Sequence, residues 1–199
     1  SSTSMLRSRL DALLAHEISI HLLTHFNGAA QGLTVFRTGL AHYEGVQEGL
    51  GVFAEWAVGG LSGTRMRLLA GRVLAVDAML DGAEFVDVYR MLANDLGLPR
   101  KPAFDVTARV FRSGGFAKDL IYLQGFQNVI ELVSAGASLT RFWIGKISTE
   151  HVEAIEELLQ RGLVQPPLFE PEFLQRDDAQ RRIASVGGEA SFNKILDVE

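Results

Sequence analysis

The chain of 199 residues contains no cysteine. That excludes disulfides, thiolate metal sites and cysteine nucleophiles, so any metal ligand must come from His, Asp or Glu. A long apolar run is also missing. Charges and glycines interrupt every hydrophobic stretch well short of the roughly 20 residues a membrane span needs. No secretory signal is visible, and the expected location is the cytoplasm. Nor is there a surplus of positive charge. The net charge is −5 and the pI is near 5.6, a poor match for nucleic acid or an anionic membrane, which favour clustered Lys and Arg. The basic residues are scattered. Arg65, Arg67 and Arg72 share a helical spacing that reads as a solvated face.

What is present suffices for one domain with a real core, since 47% of the residues are hydrophobic. Leu6, Leu10, Leu13, Leu14, Ile18, Leu22 and Leu23 recur at the helical period, predicting a first helix from Ser4, its N-cap, to Phe26. Asn27-Gly28 is a stop signal, and residues 27–44 read as loop with a short extended piece at Leu33 to Phe36. A second helix runs from Glu44 to Trp56, ended by Gly59-Gly60. Its internal Gly49 and Gly51 each cost about 1 kcal/mol against Ala, which suggests that another backbone or a ligand comes close. Helices follow at 62–80, 83–96, 117–135 and 149–161, the last opened by a Ser148/Thr149 cap. Residues 102–112 are ambiguous between helix and strand, because Val106, Thr107 and Val110 favour strand. The expected fold is mainly α with few short strands: a helical domain over residues 1–167, bounded by Pro166-Pro167, and a charged, peripheral segment over 168–199.

The first motif with chemistry in it is His16-Glu17-Ile18-Ser19-Ile20-His21. Imidazoles suit zinc, three protein ligands with one open position make a catalytic site, and a glutamate beside the first ligand can take a proton from water. The histidines stand five apart, about 140° round an ordinary helix. One metal is within reach of both only if the helix is widened by a π-type turn, with its i to i+5 bond. Two other readings stand beside this one. Glu17, His21 and His25 lie four apart on one stripe and form either a rival site or a polar face.

Gln47-Glu48-Gly49-Leu50 offers a carboxylate on the second helix as third ligand. Glu55, seven residues further on, lies on the same face and either orients a ligand or is a surface charge. A third motif runs from Arg109 through Arg112, Gly114-Gly115, Lys118-Asp119 and Tyr122 to Gly125. A helix N-terminus with Arg112 and Lys118 would hold an anion such as a peptide carboxylate, and Tyr122 could donate to a developing oxyanion. The plainer reading is a capped helix with Asp119 as its first-turn acid. His42 lies in the glycine-rich loop, where it could line a cleft.

Taken in order, these three motifs resemble the flavohaemoglobin expression-modulating proteins with a QEGLA motif, a group similar to the microtubule-associated tyrosine carboxypeptidases. The likeness spans about residues 10–167. Asn27-Gly28 with Gln31, and Gly145-Lys146, also look like the bacterial branch. The resemblance implies a zincin-like active-site domain with zinc on His16, His21 and Glu48, and with Glu17 as catalyst. It favours the five-residue spacing over the Glu17/His21/His25 stripe. It further implies a zinc-dependent metallo-carboxypeptidase that removes a C-terminal residue from a protein or peptide. Tyr122 would assist catalysis, Arg112 and Lys118 would bind substrate, and Glu55 and Asp119 would form an outer shell. The alternative is a zinc-binding regulatory or interaction protein without useful turnover. Departures from the pattern are Gly51 for Ala, Ser19-Ile20 before the second histidine and Ala117 before Lys118; none removes a ligand. Family members carry a substantial segment before the HE motif, so the expectation is a fragment lacking an N-terminal segment and with it some walls of the substrate site.

Overall fold

The computed structural model describes residues 7–112, 118–186 and Ile195. The predicted Ser4 cap and the Gly114-Gly115 loop lie outside the described residues. The mainly α expectation holds. The few short strands do not: among the described residues there is no strand.

Helix α1 (Arg7–His16) runs through a π turn (Glu17–Leu22) into α2 (Leu23–Ala30). The turn is closed by the Leu23 N–H on Ile18 O, an i to i+5 bond of the kind the histidine spacing requires. Asn27-Gly28 does not stop this helix. Gly28 is instead a place of close approach, where a Cβ would stand 2.3 Å from Phe36 O. Asn27 is buried and donates to Trp143 O and Phe169 O at 2.7 and 2.8 Å. Residues expected to be extended form a single helical turn, α3 (Val35–Thr38).

The burial of the first helix inverts the sequence expectation. Ala12, Ala15, His16, Ile20, Thr24 and Asn27 are buried, while Leu10, Leu14, Ile18, Leu22 and Phe26 lie 40–54% exposed. Small and polar residues face inward because α1 packs closely on α4 (Tyr43–Ala57), the central helix, whose residues from Gln47 to Ala57 are all buried. On its other side α4 meets α8 (Ile121–Ser134). There Gly49 and Gly125 touch backbone to backbone: a Cβ on Gly49 would stand 2.3 Å from Gly125 O, and one on Gly125 2.1 Å from Gly45 O. Helix α4 ends as expected, with Gly59 at φ 75°. The Gly60 N–H bonds Glu55 O and the Gly59 N–H bonds Trp56 O, the pairing typical of a glycine-terminated helix.

Helices α5 (Gly63–Leu80), α6 (Phe85–Arg90) with the π turn that follows it (Met91–Asp95), and α7 (Arg100–Arg112) build a second, smaller core from Ala75, Val76, Val88, Leu92, Ala103, Val106 and Val110. The ambiguity of residues 102–112 is thereby resolved as helix. Ala103, Val106, Thr107 and Val110 fall at i, i+3, i+4 and i+7 and are buried together, so tertiary packing outweighs the β-branched preference. Helix α9 (Val152–Gln160) follows the Ser148 cap. Phe173, then Ala179 of α10 (Asp177–Ala184), then Val186 and Ile195 add to the larger core. Arg182 donates to Ala57 O at 2.8 Å, satisfying an end carbonyl of α4. Among the described residues no helix is long and apolar enough to cross a membrane.

Candidate functional site

The π turn carries the sequence argument into three dimensions. Closing i to i+5 sets residues five apart nearly above one another, so His16 and His21 share a face, ring centroids 4.9 Å apart. Glu48 meets them from α4. Its Oε2 lies 3.5 Å from His16 Nε2 and 3.7 Å from His21 Nε2. One donor atom from each of the three residues lies within 4.8 Å of the other two. Gly51 gives the space for this: a Cβ there would stand 2.5 Å from the His16 ring.

The outer nitrogens of both rings are engaged. His16 Nδ1 lies 2.9 Å from Glu55 Oε1. His21 Nδ1 lies 3.3 Å from Gln47 Oε1, which also takes Thr24 Oγ1 at 2.8 Å. In each case the partner oxygen is an acceptor, so Nδ1 carries the proton and Nε2, facing Glu48, keeps its lone pair in the neutral ring. Glu55 is 1% exposed, and it is no surface charge. It accepts from Arg9 Nη1 at 2.7 Å and from Arg65 Nε and Nη2 at 3.1 and 3.0 Å. Sequence reading missed both arginines, and it missed Gln47 as a partner of His21. The position of Gln47 immediately before Glu48 was the available signal.

The charges are strongly coupled. Burial opposes protonation of His16, but hydrogen bonds to Glu48 and Glu55 outweigh it and raise its pKa to about 9. Burial likewise opposes ionisation of the two carboxylates. Bonds to His16, His21 and Lys118 nevertheless hold Glu48 well below the usual carboxylate range, and bonds to His16, Arg65 and Arg9 bring Glu55 down to about 2.

Glu17 opens the π turn beside His16 and is exposed. The Glu17/His21/His25 stripe is not what converges: the clustered donors are those of His16, His21 and Glu48. Lys118 puts its ammonium 3.1 Å from Glu48 Oε1, so it is a partner of that carboxylate. Asp119 is 3% exposed. It precedes α8 and accepts from Arg109 Nε at 2.7 Å, with Arg72 Nη1 at 3.6 Å. Arg65 and Arg72, read from the sequence as a solvated face, are thus turned inward onto carboxylates. Tyr122 is half-buried with the Arg72 guanidinium 5.3 Å above its ring, and burial, then the nearby Glu48, raises its pKa. Arg112 ends α7 on the surface. Beyond Lys118 a cavity of about 680 Å³ opens, lined by Gln124 and Asn128 of α8 and by His42, whose ring lies 2.6 Å from Glu150.

A mainly helical protein that sets two imidazoles and one carboxylate around a point, with a glutamate next to the first imidazole, has the donor set of a metallohydrolase. The family model of the microtubule-associated tyrosine carboxypeptidases matches residues 1–189, and the chain belongs to that family. Membership implies a function of the carboxypeptidase type. No curated protein matches the chain.

Proposed function

We propose that the protein is a zinc carboxypeptidase that removes the C-terminal residue of a protein or peptide, with zinc on His16, His21 and Glu48. The observation that carries this reading is the convergence of His16 Nε2 and His21 Nε2 on Glu48 Oε2, at 3.5 and 3.7 Å, with both Nδ1 atoms tied behind. Donors that share one zinc ion lie roughly 3.3 Å from one another, and both histidine–Glu48 separations are close to that, so the chemistry of the donor set fits the ion. When bound, zinc supplies a Lewis acid for the scissile carbonyl and lowers the pKa of water.

The chain's own residues do the rest. Glu55 holds the His16 ring through Nδ1, and Gln47 holds His21 in the same way. The Glu17 carboxylate takes the proton of the attacking water and returns it to the leaving amine nitrogen. The Tyr122 hydroxyl, with its pKa raised, stays protonated at neutral pH and can donate to the carbonyl oxygen as it gains charge. Arginines beside the site offer a counter-charge to a peptide's terminal carboxylate. The family's name points to tyrosine as one residue removed.

Two measurements test this. Metal analysis of the full-length protein should find one zinc per chain, lost in His16→Ala and Glu48→Gln. Glu17→Gln should keep the zinc and cut trimming of peptide C-termini, read by mass spectrometry, by about 10²- to 10⁴-fold, the span of a lost general base. A protein that takes up no zinc, or a Glu17→Gln variant that trims at the wild-type rate, overturns the reading.

A further inference from the structure

Asp119 is a buried carboxylate with more than one cation on it. Arg109 Nε bonds Oδ1 at 2.7 Å, and Arg72 Nη1 stands 3.6 Å from the same oxygen. Two guanidiniums against one carboxylate leave a surplus of one positive charge. Lys118 does not add to the surplus, since its charge is met by Glu48 at 3.1 Å. Burial, then repulsion from Arg109, depresses the Arg72 pKa. The surplus lies beside the metal donors: Asp119 is the neighbour of Lys118 in the chain, and Tyr122 feels Glu48, Lys118, Arg109 and Arg72 together.

The two arginines differ in what they can reach. Arg72 is 14% exposed and lies on the Tyr122 ring. Arg109 is 42% exposed. Its bond to Asp119 uses Nε, and the Nη groups are the part of the fork suited to a second, bidentate partner. A guanidinium fixed by a buried aspartate is pre-organised, whereas Arg112, exposed at the end of α7, has no such aspartate among the described residues.

Building on the carboxypeptidase reading, we infer that Arg109, held by Asp119 and backed by Arg72, receives the α-carboxylate of the residue to be removed. Arg109 thereby makes the enzyme selective for a free C-terminus. Asp119 and Arg72 are positioning residues, and Arg112 is not the carboxylate site.

The test is binding of N-acetyl-tyrosine and N-acetyl-tyrosinamide, which differ only in the carboxylate, to the full-length zinc-loaded protein and to the same protein stripped of zinc, by calorimetry. Wild type should prefer the free acid by about 10- to 100-fold, the range of a charge-assisted hydrogen-bonded pair. The preference should survive removal of zinc. Arg109→Gln should abolish it, and Arg109→Lys should retain part of it. Because Arg109→Gln leaves Asp119 short of a partner, Arg109→Gln/Asp119→Asn, which removes both charges, should show the same loss with a native circular dichroism spectrum. In trimming assays Arg109→Gln should raise KM far more than it lowers kcat. A wild type that binds acid and amide equally, an Arg109→Gln variant that keeps the preference, or an Arg112→Gln variant that loses it overturns the inference. Failure of the peptidase reading would show itself separately, as an acid preference in a protein whose Glu17→Gln variant is as active as wild type.

Discussion

Replacing Glu55 by Gln keeps the volume of the side chain and removes its charge at the back of His16. Glu55 accepts four hydrogen bonds, from His16 Nδ1, Arg9 Nη1, Arg65 Nε and Arg65 Nη2. A glutamine offers one carbonyl, and its amide protons must face donors on the other side. Breaking a buried pair by removing one partner costs roughly 3–5 kcal/mol. Arg9 is 36% exposed and can turn to water, so its share is discounted and about 2–3 kcal/mol remains for the zinc-free protein. At roughly 2–4 °C per kcal/mol for a chain of this size, the zinc-free melting temperature should fall by about 4–12 °C.

The effect on zinc has two parts of opposite sign. Loss of the group that orients a ligating imidazole typically weakens metal binding by about 10- to 100-fold. Yet Glu55 also helps raise the His16 pKa to about 9, so the wild type must release a proton to take zinc at pH 7, and the variant releases it more easily. Wild-type zinc affinity should therefore rise by about tenfold per pH unit between pH 7 and about 9 and flatten above, while Glu55→Gln should show a lower ceiling and an earlier plateau. Competition against a chromophoric chelator at a series of pH values measures both. Equal affinities for the two proteins above pH 9, together with equal melting temperatures, would refute the claim that Glu55 holds His16 for a metal.

Gly125→Ala should destabilise the protein. Its Cβ would stand 2.1 Å from Gly45 O, and the roughly 1–3 kcal/mol of overpacking against backbone exceeds the gain of about 1 kcal/mol in helix propensity; a drop in the denaturation midpoint at unchanged m-value is the readout. The pH dependence of stability follows from Glu55 with a definite sign. Its folded pKa of about 2 lies below the ordinary glutamate value of 4.5, so its contribution is full above about pH 4.5 and is lost as pH falls toward 2. That contribution is about 3 kcal/mol, and acid titration of zinc-free wild type against Glu55→Gln, followed by circular dichroism, should show the acid slope flattened in the variant.

The parts of this molecule legible in the sequence were those written in local spacing. Two histidines five apart demanded a widened turn, and the i to i+5 bond of Leu23 on Ile18 supplies it. Two glycines in the middle of a helix demanded a close neighbour, and Gly49 meets the backbone of Gly125 while Gly51 meets the ring of His16. What periodicity alone misassigned was direction. The leucine stripe of α1 marked an amphipathic helix, but a stripe does not say which face is covered. The side carrying His16 had to face α4 for the donors to meet, so Leu10, Leu14, Ile18, Leu22 and Phe26 turned outward. Close packing on α4 outweighed the rule that the apolar face goes in, and it did so at the helix that carries the candidate site, where such violations are expected. The residues behind the site stayed illegible for a related reason. Arg65 and Arg72 have the spacing of a surface face on α5, and only the tertiary arrangement puts Glu55 and Asp119 opposite them. A buried carboxylate needs cations, but no local pattern names which ones; at Asp119 the arginines supplied outnumber the acid they serve, and that surplus is what makes Arg109 a candidate for a substrate's negative end.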